Sequence, residues 1–292
     1  MLIDSGSCSY SRPEYSSYYR QSKAHNVVLV DGEAQNPEDC GRGVVTPGRL
    51  QYLLDAAGIK YVLADATGPT SWKFSRNYRH FLWIDDIILV LDDIRTDEPG
   101  KLEWLLHYDG SIQQDGTDWI VSNEEAKVMV RPLFPENVQV AEKKGLKDHE
   151  PDRQVPYLAL SPEGAMREAK FVTAIVPVRK GNGEHPPRIE PLKADNAIGA
   201  RIYGDGTITD VWLNPMADGR RMHRNSNSII DGWDTDAYLI ALSRIPSRGI
   251  SSPAAVTFAR TGKSHLIHSP RSMRPLPVEY RRWKWPCRVS LS

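Results

Sequence analysis

The stretch Phe81–Asp93, FLWIDDIILVLDD, decides the fold class. Two apolar runs rich in aromatic and β-branched residues flank Asp85-Asp86, which is the pattern of two strands joined by a tight hairpin. Gly204-Asp205-Gly206 separates two further runs, ARIY and TITDVW, in the same way. Because tight hairpin turns need positive φ angles that Gly, Asn and Asp adopt at low cost, both turns predict antiparallel strand pairs.

Period-two alternation continues along most of the chain, and helical periodicity is nearly absent. Candidate strands recur at intervals of about 10–20 residues without intervening helices. We therefore predict an all-β chain that forms a large antiparallel β-sandwich. Two segments, Glu142–Pro156 and Lys180–Pro187, are predicted to be loops because they are charged or rich in Pro and Gly. The predicted strands are His25–Asp31, Tyr61–Ala66, Tyr78–Ile84, Ile87–Asp92, Leu102–Tyr108, Trp119–Val121, Lys127–Arg131, Lys170–Val178, Ala200–Tyr203, Thr207–Leu213 and Tyr238–Ser243.

The overall composition excludes some classes of protein. The 292 residues carry 37 Lys and Arg against 37 Asp and Glu, so there is no net positive field to attract nucleic acid. Hydrophobic residues make up 40% and charged residues 25%, which is ordinary for a folded domain. The chain has 8 Trp and 12 Tyr but 5 Phe. Such amphipathic rings suit sugar-binding surfaces and also suit sheet cores, so both interpretations stay open.

Neither cysteines nor apolar segments indicate a compartment. Cys8, Cys40 and Cys287 are too few for a disulfide framework, and their spacing matches no zinc knuckle. The apolar runs Ile87–Leu91 and Phe171–Val178 fall far short of the ~20 residues of a membrane-spanning helix. The N-terminal MLIDSGSCSY lacks the basic start and the apolar stretch of a signal peptide, so the chain itself does not indicate its localisation.

Composition changes near the C-terminus. We predict one domain over residues 1–245 and a separate tail over residues 246–292, which is rich in Ser, Pro and Arg. The end of this tail is basic and contains a single acidic residue, Glu279. A contact with an acidic polymer and a poorly ordered or non-native end are both compatible with that composition. The basic residues are Arg271, Arg274, Arg281, Arg282, Lys284 and Arg288.

The first 35 residues hold the candidate chemical groups. Asp4 lies in an Asp-Ser-Gly turn, and His25-Asn26 opens a predicted strand. A hairpin would bring Asp4 and His25 to neighbouring strands, where a carboxylate and an imidazole suit a divalent metal such as zinc. Phenol groups nearby suit acid–base catalysis. Both features are also common structural elements, and two ligands fall short of the roughly three or four that zinc normally takes from a protein. The tyrosines of this segment are Tyr10, Tyr15, Tyr18 and Tyr19.

The segment DSGSCSY…YYRQSKAHNVVLVDGEAQ, residues 4–35, resembles the β-sheet domain of the heparinase II/III-like polysaccharide lyases. Further motifs follow in the order found in that family. Together they cover roughly residues 2–110, while residues 110–245 fit more loosely and the tail fits no part of the family. These motifs are A-D-A-T at Ala64–Thr67, R-x-F-L-W-I at Arg79–Ile84, V-L-D-D-I at Val90–Ile94 and W-L-L-H at Trp104–His107.

The resemblance implies β-elimination on an acidic polysaccharide that contains uronic acid, either heparan-like or alginate-like. A base removes the C5 proton, an acid protonates the leaving oxygen, and another group neutralises the C6 carboxylate. The resemblance implies Asp4 and His25 as metal ligands, Tyr18 or Tyr19 together with His25 as catalytic residues, and Arg20, Asn26 and His107 as substrate-binding residues.

The resemblance also implies that part of the site is missing from this chain. In the family, the first ligand histidine lies on the strand before the Asp-Ser-Gly turn, and several catalytic groups lie on an N-terminal α/α toroid. Because Met1 precedes Asp4 by three residues, we expect weak or absent zinc binding and weak or absent turnover. We expect an acidic polysaccharide as partner, together with a toroid domain or a second copy of the chain, and a periplasmic or secreted location.

Two other functions remain open from the sequence. One is a non-catalytic sandwich that binds acidic polysaccharides without cleaving them. The other is a structural domain that packs on a toroid supplied by another chain, for which an exposed apolar face and self-association are expected.

Overall fold

The computed structural model divides into two compact units, Met1–Pro187 and Arg188–Ser292. This division falls inside the range 1–245 that the sequence predicts as one domain. The predicted boundary at residue 245 lies outside the described residues and stays a prediction. The residues that the structure does not describe are 40, 57, 125, 179–185, 196, 205, 215–227, 231–232, 236–237, 245–254, 261–262 and 269–292.

The first unit is built from antiparallel strands. They are β1 Val28–Val30, β2 Arg49–Ala56, β3 Ile59–Asp65, β4 Phe74–Ile84, β5 Ile87–Gly100, β6 Leu102–His107, β7 Ser111–Asp115, β8 Asp118–Ser122, β9 Lys127–Phe134, β10 Val138–Lys147, β11 Glu150–Pro162 and β12 Met166–Val178. A 4-stranded sheet has the order β1-β6-β11-β10, and an 8-stranded sheet has the order β2-β3-β4-β5-β12-β9-β8-β7. All pairs in both sheets are antiparallel.

The two sheets share an apolar core. Trp104 and Leu106 of β6 lie in one cluster with Ile94 of β5 and Phe171 of β12, and all four side chains are buried. Burying a large apolar side chain of this kind contributes about 1.5–3 kcal/mol. The prediction of an all-β antiparallel sandwich is confirmed.

The hairpin predicted at Asp85-Asp86 is confirmed. Ile84 pairs with Ile87, so Asp85 and Asp86 form a two-residue loop between β4 and β5. Asp85 has φ +52, the left-handed conformation that Asp tolerates better than most residues.

The prediction of a loop over Glu142–Pro156 is wrong. This segment is the paired part of β10 and β11, with Lys143 opposite Tyr157 and a turn at Asp148-His149. Its charged residues lie on the outer strand β10, in the turn and at the start of β11, where most side chains remain at least partly exposed. Charge therefore does not oppose the strand, because Lys and Glu at an outer strand can face water.

Among the other strands that the sequence missed are three that belong to the larger sheets: β2, β7 and β13 Ile189–Ala194. Each is the first or last strand of its sheet. Outer strands bury fewer side chains, and in β7 four of the five residues are exposed. The alternation that signals a strand is weak where there is little to bury.

The second unit contains a 6-stranded antiparallel sheet and a short hairpin. Its remaining strands are β14 Ala197–Gly204, β15 Thr207–Leu213, β16 Ser228–Ile230, β17 Trp233–Thr235, β18 Leu239–Arg244, β19 Ala255–Arg260 and β20 Lys263–His268. The sheet order is β13-β14-β15-β18-β19-β20, and β16 pairs with β17. Asp210 is fully buried and accepts from Arg201 Nε at 2.6 Å and Arg244 Nη2 at 2.8 Å.

Two strands of this sheet, β19 and β20, lie within the predicted tail. The basic segment at the end of the tail and most of the predicted loop Lys180–Pro187 lie outside the described residues.

Helical structure is limited to short turns in the described part of the chain. None of the helices described there is long and apolar enough to cross a membrane. The helical turns are a π-helical turn Tyr15–Tyr19, a 3-10 turn Ser22–Ala24, and the α-helical turns Arg42–Val45 and Thr67–Thr70.

Candidate functional site

The N-terminal segment lies along the end of β6. Leu2 forms an antiparallel bridge with Tyr108, and the Ile3 N–H donates to the His107 carbonyl at 3.0 Å. The Asp109 N–H donates to the Met1 carbonyl at 2.8 Å. These bonds hold the next residue, Asp4, beside the end of the 4-stranded sheet.

The predicted Asp-Ser-Gly turn is present. Asp4 Oδ1 accepts the Gly6 N–H at 2.8 Å, which is the usual way an Asp side chain closes a turn. Gly6 has φ +62, and a Cβ at this position would overlap the Asp148 side chain. A glycine is therefore required both by the backbone angle and by the close approach of the β10–β11 turn.

Asp4 and His25, the predicted metal ligands, are in direct contact. His25 Nδ1 lies 3.0 Å from each oxygen of the Asp4 carboxylate, and His25 Nε2 lies 3.1 Å from the Tyr19 carbonyl. Both side chains are partly exposed, at 37% for His25 and 48% for Asp4. The carboxylate thus orients an imidazole that solvent reaches.

These two residues do not complete a zinc site. Among the described residues there is no cluster of three or more His, Cys, Asp or Glu side chains able to hold a metal. His107 directs its ring nitrogens to Asn26 and Tyr18. His25 likewise directs its own to Asp4 and the Tyr19 carbonyl. A carboxylate and one imidazole supply two ligands, fewer than the roughly three or four of an ordinary zinc site.

Tyr18 and His107 form a buried pair behind this surface. The Tyr18 hydroxyl lies 3.4 Å from His107 Nε2 and 3.0 Å from Ser5 Oγ. Tyr157 stacks on the His107 ring at 4.5 Å between centroids. The pair is therefore enclosed by β6, β11 and the N-terminal turn.

Asn26 determines the orientation of the His107 ring. Asn26 Oδ1 accepts the His107 backbone N–H at 2.7 Å and lies 3.1 Å from His107 Nδ1. Asn26 Nδ2 donates to the Ile3 carbonyl at 2.7 Å, which identifies the other amide atom as the oxygen. His107 Nδ1 therefore carries the proton in the neutral ring, and Nε2 presents its lone pair to the Tyr18 hydroxyl.

Burial keeps both members of this pair uncharged. Loss of hydration lowers the pKa of His107 from 6.5 to about 4. Burial likewise raises the pKa of the Tyr18 hydroxyl above its ordinary value. A neutral imidazole facing a neutral phenol is an arrangement through which a proton can pass without a standing charge.

Tyr19 is placed differently from Tyr18. Its hydroxyl donates to the Lys147 carbonyl of β10, and its side chain is buried. Burial raises the pKa of Tyr19 to about 12. The phenol therefore ties the tyrosine segment to the β10–β11 hairpin.

Arg20 follows the two tyrosines and is exposed. Its backbone N–H bonds to the Tyr15 and Tyr18 carbonyls, which ends the π-helical turn, and its Nη2 donates to the Pro37 carbonyl at 3.3 Å. The guanidinium retains further donors for an anionic group from solvent.

Sequence reasoning missed three groups that shape this site: Ser5, Gly145 and Tyr157. A Cβ at Gly145 would overlap the Tyr18 hydroxyl oxygen, so glycine makes room for the phenol. Gly145 and Tyr157 belong to the hairpin for which the sequence predicts a loop, and a strand prediction there would have indicated a wall of the site. Ser5 lies inside the Asp-Ser-Gly motif. Because that motif is typical of a turn, the sequence offered no reason to assign a contact to the Ser5 hydroxyl.

The fold and this cluster together define a β-sandwich with a polar His, Tyr, Asn and Asp site at the end of the 4-stranded sheet. The family model described as "Heparinase II/III-like, C-terminal" matches residues 1–184, more than half of the chain. The chain therefore belongs to the heparinase II/III-like family of polysaccharide lyases. Residues 1–184 correspond to the domain that is C-terminal in that family. No curated protein sequence matches it.

Solved structures support the same fold. The structure of a heparinase III gene product with methylated lysines aligns with a TM-score of 0.56 at 12% identity, over 84% of this chain and 34% of its own. The heparan sulfate lyase HepC from Pedobacter heparinus aligns with a TM-score of 0.55 at 16% identity, over 73% of this chain and 34% of its own. The chain thus spans about a third of the length of these structures.

Proposed function

We propose that this chain supplies the sheet-domain side of a lyase site that cleaves uronic-acid-containing polysaccharide by β-elimination. The observation that carries the proposal is a neutral His107 whose Nε2 faces the Tyr18 hydroxyl. The partly exposed Asp4–His25 pair lies next to it. Membership of the heparinase II/III-like family supports a role in polysaccharide lyase activity.

Three groups of this chain are candidates for part of the β-elimination machinery. The exposed Arg20 guanidinium pairs with the C6 carboxylate of the uronate, which makes the C5 proton more acidic. His25, oriented by Asp4, is the proton acceptor or donor that the substrate reaches first, and its Nε2 exchanges the Tyr19 carbonyl for the substrate in that step. Tyr18 is a better candidate than Tyr19 for proton transfer, because the Tyr19 hydroxyl donates to a backbone carbonyl while Tyr18 faces a histidine base.

We also propose that the remaining catalytic groups come from an α/α toroid domain. The chain spans about a third of the matched structures, and their additional length provides for such a domain. Turnover by this chain alone is accordingly expected to be weak or absent. Zinc is expected to bind weakly, with Asp4 and His25 as its ligands.

The substrate is proposed as an acidic glycan with uronate units, with heparan sulfate tested first and alginate second. Heparan sulfate comes first because HepC, one of the matched structures, is a heparan sulfate lyase. The proposal depends on recognition of the uronate carboxylate and not on the rest of the sugar.

Binding to a matched pair of polymers tests the proposal. Heparan sulfate or alginate is compared with the same polymer after chemical reduction of its carboxylates, and binding to the chain is measured by calorimetry. We expect binding to the native polymer, loss on carboxyl reduction, and weaker binding in Arg20→Ala. Equal binding of native and reduced polymers, or no binding of any uronate polymer, would refute a uronate-specific site.

A second candidate function is binding without cleavage. It is favoured by one observation, that the hydroxyls of Tyr18 and Tyr19 are both buried in protein hydrogen bonds. The ultraviolet absorbance of the C4=C5 double bond separates the two functions. The assay is run with the chain alone and with an added toroid domain. An absorbance increase with the parent chain that is absent with His25→Ala supports the lyase. Polymer binding without an absorbance increase under both conditions supports the binding module.

A further inference from the structure

Four of the sequence motifs that resemble the heparinase II/III-like family meet around one ion pair between the two sheets of the first unit. Arg79 of β4 lies directly opposite Asp92 of β5 in the 8-stranded sheet. Trp104 of β6 and Asn26, just before β1, approach the same pair from the 4-stranded sheet. None of Arg79, Asp92 and Trp104 has a role in the site described above.

Asp92 is a buried carboxylate with a full set of donors. Arg79 Nε donates to Asp92 Oδ1 at 2.7 Å and Arg79 Nη2 donates to Asp92 Oδ2 at 3.1 Å. The Trp104 Nε1–H donates to Asp92 Oδ2 at 2.8 Å. Exposure is 2% for the Asp92 side chain and 19% for Arg79. A two-point Arg–carboxylate fork of this kind fixes the orientation of the guanidinium.

The fixed guanidinium has one donor directed at the site. Arg79 Nη1 donates to the backbone carbonyl of Asn26. The side chain of the same Asn26 holds the Ile3 carbonyl and both the backbone and the ring of His107. Arg79 therefore touches Asn26 on one side, and Asn26 sets the His107 ring on the other.

We propose that Arg79 and Asp92 are positioning residues, which place Asn26 and through it select the Nδ1-protonated tautomer of His107. Their relevance to glycan cleavage rests on the proposed function, while the positioning of His107 can be tested without any glycan. Lysine cannot replace Arg79, because a single ammonium cannot grip the carboxylate at two points and reach the Asn26 carbonyl as well.

The same sheet offers a matched control. Arg131 of β9 forms a two-point fork with Asp118 of β8, with Nε and Nη2 each 2.5 Å from a carboxylate oxygen. Exposure of the Arg131 side chain is 21%, close to the 19% of Arg79, whereas Asp118 is 13% exposed and Asp92 is 2% exposed. An Arg131→Lys variant therefore loses a similar fork without disturbing the contact at Asn26.

The test is the tautomer of His107, read from the ring nitrogen chemical shifts of histidine-labelled protein at neutral pH. We expect a pure Nδ1-protonated ring in the parent and in Arg131→Lys, and a mixture of both tautomers in Arg79→Lys. Trp104→Phe, which removes a single donor from Asp92, is expected to show a smaller change in the same direction. A folded Arg79→Lys protein with the parental tautomer would overturn the inference.

A second variant covers the case in which Arg79→Lys does not fold. The double variant Arg79→Met/Asp92→Leu replaces the buried pair with apolar residues, an exchange that often preserves stability. It should show the same mixed tautomer, and a parental tautomer there would equally overturn the inference. If neither the parent nor any variant binds glycan, the proposed function is refuted. The positioning role is still decided by the tautomer of His107, which is measured without glycan.

Discussion

Acidification is expected to destabilise the protein through His107. The ring is fully buried, and its pKa is lowered from 6.5 to about 4 because the charged form loses its hydration. Between these two values the unfolded chain binds a proton that the folded protein does not bind. The stabilising contribution is therefore complete above pH 6.5 and is lost as the pH falls through 6.5 towards about 4.

The size of the effect follows from the shift. The difference between 6.5 and about 4 is close to 2.5 pKa units. At ~1.4 kcal/mol per unit the complete loss is ~3 kcal/mol, of which ~2 kcal/mol is already lost at about pH 5. His80 is also buried and has a similarly lowered pKa of about 4, so the parent protein is expected to lose more than His107 alone accounts for.

Urea unfolding at about pH 7 and about pH 5 separates the contribution of His107 from all others. The free energy of unfolding of His107→Gln should fall by ~2 kcal/mol less than that of the parent over this interval, because Gln does not titrate. Leu106→Ala is the control, since it removes a buried side chain of β6 that does not titrate, and its pH dependence should equal that of the parent. Equal pH dependence of His107→Gln and parent would refute a buried neutral His107.

Three further outcomes are expected. Gly145→Ala should destabilise the protein by about 1–3 kcal/mol through overlap with the Tyr18 hydroxyl. Adding Tyr18→Phe should recover most of that loss in urea unfolding, because without the hydroxyl the nearest ring atom to the new Cβ is Cζ, at 3.2 Å. A double variant that recovers no stability would contradict the overlap. Asp210→Ala should cost about 3–5 kcal/mol of unfolding free energy by leaving Arg201 and Arg244 without their carboxylate, and a loss below about 1 kcal/mol would show that water replaces it. Zinc should dissociate during equilibrium dialysis, and its tight retention would show that a further ligand joins the two predicted ones.

Strands with a buried face were predictable from the sequence because their signal is local. Period-two alternation and a two-residue turn at Asp85-Asp86 depend on neighbours in the chain, and the corresponding strands β4 and β5 are present. The outer strand β10 was not predictable in this way. Its exposed Lys and Glu side chains satisfy a strand at the sheet edge as well as they satisfy a loop, so composition does not distinguish the two.

The candidate site shows the same division. Asp4, His25 and the tyrosines lie within one short segment, so their proximity was predictable, and the contact of Asp4 with His25 is present. The roles of the individual groups were not predictable. Tyr18 reaches His107 and Tyr19 reaches Lys147 across 89 and 128 residues of sequence.

By itself, the sequence determined the fold class, the family and the segment that holds the candidate chemical groups, because alternation, turns and motif order are properties of neighbouring residues. The tertiary structure decided which atoms meet. It placed Gly145 against a phenol, buried His107 as a neutral imidazole, and brought Arg79 and Asp92 into contact with one another and Arg79 into contact with the Asn26 carbonyl. Contacts between strands of different sheets depend on how those sheets pack, and no local pattern in the chain records that packing.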